Sequence, residues 1–138
     1  MEILVPIDDS DTARAALEHA VREHPDASIT AIHAIDPSVS KYGDGGIYAY
    51  ESVLESRQED AADLFEDVAE LVADHDGTYT TDTVVGDPAR EIVTYADDHD
   101  VDHIVIGSRG RSGAKRVLLG SVAERVVRRA PVPVTIVR

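Results

Sequence analysis

The pattern of apolar and polar positions switches repeatedly between two periods. Residues 2–8, "EILVPID", form a short continuous apolar run, the mark of a strand buried on both faces. Ala13, Ala16, Leu17, Ala20 and Val21 then recur at the spacing of one helix face. Residues 27–36, "ASITAIHAID", read as a second strand. Ala61, Leu64, Phe65, Val68 and Val72 mark a long helix ending near Asp74. Between them, residues 37–50 are rich in Gly, Ser and Tyr and read as a mobile loop, either a lid over a ligand or a plain surface loop.

The alternation continues to the end of the chain. Residues 78–85, "TYTTDTVV", are β-branched but polar, which suits a strand near a sheet edge. "GDPAREIVTYA" opens a helix with Asp87 as N-cap and Pro88 in the first helical position, burying Ala89, Ile92, Val93 and Ala96. "VDHIVIG", residues 101–107, is a fourth strand. A short helix over roughly 121–130 and a fifth strand, "VPVTIVR", follow. Pro133 lacks an N–H and so places that last strand at an edge. Strand–helix alternation implies a parallel sheet with right-handed crossovers. The expectation is an α/β fold: a doubly wound five-stranded parallel sheet of order 3-2-1-4-5 with helices on both faces. With 138 residues it is expected to be a single domain, 1–138. In that order the winding reverses between strands 1 and 4, and ligands bind beyond the carboxyl ends of strands at such a point.

Charge adds a second pattern. The formal net charge is -14, yet eight of the 13 basic residues and one of the 27 acids fall in 109–138, so that stretch carries +7 and residues 1–108 carry -21. An acidic body excludes nonspecific binding to nucleic acid or acidic membrane, whereas the basic end suits a small anion. Lys is nearly absent and Asp outnumbers Glu, which points to a high-salt, halophilic cytoplasm. There is no Cys, so disulfides, thiol catalysis and thiolate metal sites are excluded. No signal peptide or membrane span is read, and a cytoplasmic location is expected. The six histidines are spaced unlike a metal site.

The basic stretch "IGSRGRSGAKRVLLGS", residues 106–121, begins where the fold predicts a pocket. Gly107 and Gly110 permit positive φ and close backbone approach to a ligand. Ser121 and Glu124 have capping-box spacing, and the free amides and dipole of a helix start favour an anion. Arg109, Arg111, Lys115 and Arg116 add cationic reach, although pairing with the acidic body accounts for them equally well. Neither G-x-x-x-x-G-K-[ST] nor a G-x-G-x-x-G after strand 1 is present.

The spacing Gly107-x2-Gly110-x9-Gly120-Ser121 resembles the ATP-binding signature of the universal stress protein family, G-x2-G-x9-G-[S/T]. "ILVPIDDSDTARAALEHA", "GDPAREIVTYA" and "LLGSVAERVVRRAPVPVTIVR" are similar to that family's opening, third-helix entry and ending, so the likeness spans the chain. The resemblance implies an adenine nucleotide alpha hydrolase-like fold that binds ATP (or AMP or ADP), usually as a homodimer paired through strand 5, residues 132–137. It implies Pro6, Ile7 and Asp8 at the adenosine end, with Asp8 as ribose contact or Mg²⁺ ligand. On the same resemblance, Ala34 would offer backbone groups to adenine, and Ile106, Gly107, Arg109 and Gly110 would wrap ribose and phosphates. Gly120, Ser121, Val122 and Ala123 would hold the phosphates. Ala123 stands where ATP-binding members often carry a hydroxyl. The implied function is a nucleotide-dependent regulatory or stress-response module. Two alternatives stay open: a slow Mg²⁺-dependent ATP hydrolase, and a nucleotide-free dimeric stress protein. No second carboxylate or glutamine is clearly placed for an attacking water, which favours binding with at most weak turnover.

Overall fold

The computed structural model describes residues 1–37, 46–109 and 119–138; side chains are described for these except at 46–50. Five strands run β1 Glu2–Pro6, β2 Ser28–Ile35, β3 Tyr79–Val85, β4 His103–Gly107 and β5 Val134–Val137. They form one sheet of order β3-β2-β1-β4-β5, and every pair is parallel. β1 lies in the middle, which is why Ile3, Leu4 and Val5 are all buried despite pointing to alternate faces. The polar strand β3 and the Pro133-led β5 take the two edges, as their sequences predict.

Four helices connect the strands: α1 Asp11–Glu23, α2 Gly46–Val68, α3 Pro88–Asp98 and α4 Ser121–Arg129. On one face, Ala16, Leu17 and Ala20 of α1 and Val68 of α2 pack with Ile3, Val5, Ile29 and Ala31. On the other, Ala89, Ile92 and Ala96 of α3 and Ala123 and Val126 of α4 pack with Leu4, Ile32, Ile104 and Ile106. The sheet is thus covered on both sides, as a parallel sheet requires.

Several boundaries differ from expectation. Residues 46–50 belong to α2, not to a loop, and residues 38–45 of the expected lid or surface loop lie outside the described residues. The long helix ends at Val68 and tightens into a 3-10 turn over Ala69–Val72, a common way to finish a helix. Val93 is half-buried, because the buried stripe of α3 is the narrower Ala89–Ile92–Ala96 row. The N-cap of α1 is Ser10, whose Oγ accepts the Ala13 N–H at 3.2 Å.

Candidate functional site

β1 and β4 are neighbours in the sheet but are joined through β2, β3 and their helices, so the winding reverses between them. Beyond their carboxyl ends lies a cavity of about 440 Å³. Pro6 at the end of β1 and Ile7 just after it, Ala34 near the end of β2, and Ile106 and Gly107 of β4 form its floor. The starts of α3 (Asp87, Pro88) and α4 (Gly120 to Ala123) close one side.

The turn after β1 is held firmly. The Ile7 N–H donates to Ile32 O at 2.7 Å. His33 Nδ1 lies 2.7 Å from Ile7 O; a carbonyl only accepts, so that nitrogen carries the hydrogen. Asp8 Oδ1 accepts the Ser10 N–H at 2.9 Å and also the Ser10 hydroxyl. Asp8 therefore orients the cap of α1 while it lines the cavity.

The turn after β4 is fixed by different contacts. The Ser108 N–H donates to Val137 O at 2.7 Å, and the Gly120 N–H donates to Ser108 O at 2.6 Å. Thr12 Oγ1 donates to Arg109 O at 2.6 Å and accepts the Arg109 N–H at 3.2 Å. Gly107 is required here for closeness to protein rather than to a ligand. A Cβ would meet Thr12 C at 2.6 Å and Thr12 O and Oγ1 at 2.7 Å. The expected positive φ is not found at Gly107: among the described glycines only Gly86 has one. Gly110, Arg111, Lys115 and Arg116 lie outside the described residues.

Two helix N-termini reach the cavity. Asp87 caps α3, accepting the Arg90 N–H at 3.1 Å. Its carboxylate also grips Arg125 of α4 through both oxygens, at 2.9 and 2.8 Å. The Arg125 hydrogen bonds, then the Arg90 amide, hold the Asp87 carboxyl below its usual range and keep it ionised. α4 has no such cap. Gly120 is its N-cap with no side-chain hydrogen bond, and the first helical bond closes from Glu124 N–H to Gly120 O at 2.9 Å. The amides of 121–123 thus have no acceptor within the helix. The expected capping box is absent, because Ser121 is already the first helical residue and Glu124 pairs instead with Arg128 at 2.7 Å.

A sequence profile of the universal stress protein family matches residues 1–138. The chain belongs to this family. It is 34% identical over 141 residues to universal stress protein MJ0531 of Methanocaldococcus jannaschii, covering 99% of this chain and 81% of that one. It is 32% identical to MJ0577 of the same organism, whose solved structure matches with a TM-score of 0.87 over 99% of this chain and 94% of that chain. The structure of UspA from Lactobacillus plantarum also gives 0.87, at 30% identity over 100% and 97% of the two chains. Universal stress proteins of the same fold have been solved with cAMP, with dAMP (from Archaeoglobus fulgidus) and with AMP (from Arabidopsis thaliana), at 23%, 23% and 17% identity to this chain.

Every described residue that the universal stress protein resemblance places at the nucleotide lines the cavity, and Gly110 lies outside the described residues. Sequence reading missed Ser10, Thr12, His33, Arg57, Asp87 and Arg125 as parts of the site. Asp87 was legible only as a helix cap. No local motif announces Thr12 or Arg125, whose partners lie 97 and 38 residues away. The structure also brings His24 beside His103, with ring centroids 5.8 Å apart, at the opposite end of β4 from the cavity.

Proposed function

We propose that this universal stress protein binds an adenine nucleotide in the switch-point cavity and acts as a nucleotide-dependent regulatory or stress-response module. One observation carries the reading: the uncapped N-terminus of α4 opens into the same cavity as Asp8. Amides without helical acceptors, in the field of the helix dipole, suit phosphate, and a carboxylate on the same cavity lining suits ribose hydroxyls. The AMP-, dAMP- and cAMP-bound structures of distant fold neighbours support the ligand class. ATP is the ligand that the full glycine signature favours.

Mg²⁺ fits only as a companion of bound phosphates. Among the described residues no group of three or more His, Cys, Asp or Glu side chains is arranged to hold a metal. Asp8 would then supply one oxygen, and the ion would screen phosphate charge. Three described carboxylates line the cavity, Asp8, Asp36 and Asp87; Asp8 is engaged with Ser10 and Asp87 with Arg125, and Asp36 is not free either, so this reading is of binding rather than sustained hydrolysis. The partner we infer is a second copy of the chain through the edge strand β5, in a salt-rich cytoplasm. No described helix is long and apolar enough to cross a membrane.

The test is direct. Nucleotide-free protein in molar KCl is titrated with ATP, ADP and AMP, and phosphate release is followed with Mg²⁺. Micromolar binding with negligible turnover is expected, weakened by Asp8→Ala. No binding of any adenine nucleotide overturns the reading, and sustained turnover lost in Asp8→Ala replaces it with an ATP hydrolase. Sedimentation at micromolar concentration tests the dimer, and a monomer there rules it out.

A further inference from the structure

The two helix starts at the cavity are treated unequally. α3 is capped by the carboxylate of Asp87, whereas α4 is capped by a glycine that brings no side chain. Asp87 therefore places a negative charge on the wall of a cavity whose neighbouring wall suits an anion. Solvent reaches both Arg125 and Asp87, whose side chains are 41% and 34% exposed, and it moderates but does not cancel the opposition between that charge and a phosphate in the same cavity. Arg125 meets it with both terminal nitrogens, one to each carboxylate oxygen, at 2.9 and 2.8 Å. Both residues line the cavity. Arg125 lies one turn beyond Ser121 on α4, so the paired fork also ties the start of α3 to the second turn of α4 beside the cavity.

We propose that Arg125 is a positioning and charge-compensating residue for the phosphate end of the site. By neutralising Asp87 it admits phosphate to the N-terminus of α4, and it does so through Asp87 rather than as the phosphate's own ligand. This rests on the nucleotide reading above and deepens it: Arg125 governs how much negative charge on the ligand the site accepts, not whether adenosine is recognised. Removing Arg125 strands an ionised carboxylate in the cavity. Removing the charge of Asp87 as well makes Arg125 dispensable.

The experiment measures ATP and adenosine affinities by calorimetry for the wild type, Arg125→Gln, Asp87→Asn and the double variant, with circular dichroism as a check of folding. Arg125→Gln is expected to weaken ATP about tenfold or more, in line with one uncompensated charge nearby, and adenosine by less than about twofold. The double variant recovers ATP to within about threefold of wild type, because asparagine caps a helix as well as aspartate does. Asp87→Asn alone binds ATP at least as tightly as wild type. A double variant as weak as Arg125→Gln overturns the proposal, as do parallel losses of ATP and adenosine. If Arg125→Gln does not fold, Asp87→Asn decides, and weaker ATP binding there overturns it. A wild type that binds AMP but not ATP defeats this proposal alone. One that binds no adenine nucleotide defeats the nucleotide reading and this proposal with it.

Discussion

Thr12 and Arg109 are joined by two hydrogen bonds: the Thr12 hydroxyl donates to the Arg109 carbonyl at 2.6 Å and accepts the Arg109 amide at 3.2 Å. One side chain on the first turn of α1 thereby sets the backbone of the turn that follows β4. Thr12→Val keeps the shape and deletes both bonds. The variant is expected to lose about 1–3 kcal/mol, the cost of unpaired backbone groups at a part-buried site. Urea unfolding measures this, and a midpoint equal to wild type contradicts the role.

Gly107→Ala tests the same junction from the other side. The added methyl would stand 2.6 to 2.7 Å from backbone and side-chain atoms of Thr12, and backbone yields poorly. Overpacking of this kind costs roughly 1–3 kcal/mol. Thermal melts should show the loss, and nucleotide affinity should fall with it, since the displaced turn borders the cavity. Full stability with weakened binding alone would mean that the glycine serves the ligand instead.

At the other end of β4, His103 Nε2 lies 2.7 Å from Thr135 Oγ1 on the edge strand. Burial, and then the neighbouring charges of His24 and His19, hold its pKa below 6.5. The unfolded chain takes up this proton near pH 6.5, and the folded chain only at lower pH. The resulting stability is complete above 6.5 and is lost as pH falls through the folded value. Melting temperature should drop between about pH 7 and pH 5 more steeply for the wild type than for His103→Gln. Equal slopes would remove His103 from the explanation.

The acidic body makes its own prediction. With a net charge of -14, self-repulsion weakens the folded state in dilute buffer, and salt relieves it. Melting temperature should rise from about 0.1 M to about 2 M KCl, by more than a neutral protein's would. Equal stability across that range counts against the high-salt reading.

The architecture was readable because burial leaves a periodic trace. Ile3, Leu4 and Val5 are apolar in succession because β1 has neighbours on both sides and helices on both faces. Ala16, Leu17 and Ala20 repeat because one side of α1 meets that sheet. Helix ends were less legible. The glycines at 43, 45 and 46 signal a turn, which hid the start of α2 at Gly46. Ser121 has the residue type of a cap, yet the glycine before it takes that position. At the site, the glycine spacing marked where the chain turns but not what each turn presses against. Gly107 faces Thr12, and Asp87 meets Arg125, only once the sheet has closed; no local window contains both partners.

The bond between Thr12 and Arg109 spans 97 residues of chain. Loops of that length close late in folding, after local helices and hairpins have formed. The cavity also needs α4, which follows that junction. A ligand held there consequently recognises a finished molecule and has nothing to grip in a partly made one. By mass action such a ligand would stabilise the completed fold by RT ln(1 + [L]/Kd), so occupancy would report whether the chain has reached its native state as well as how much of that ligand surrounds it.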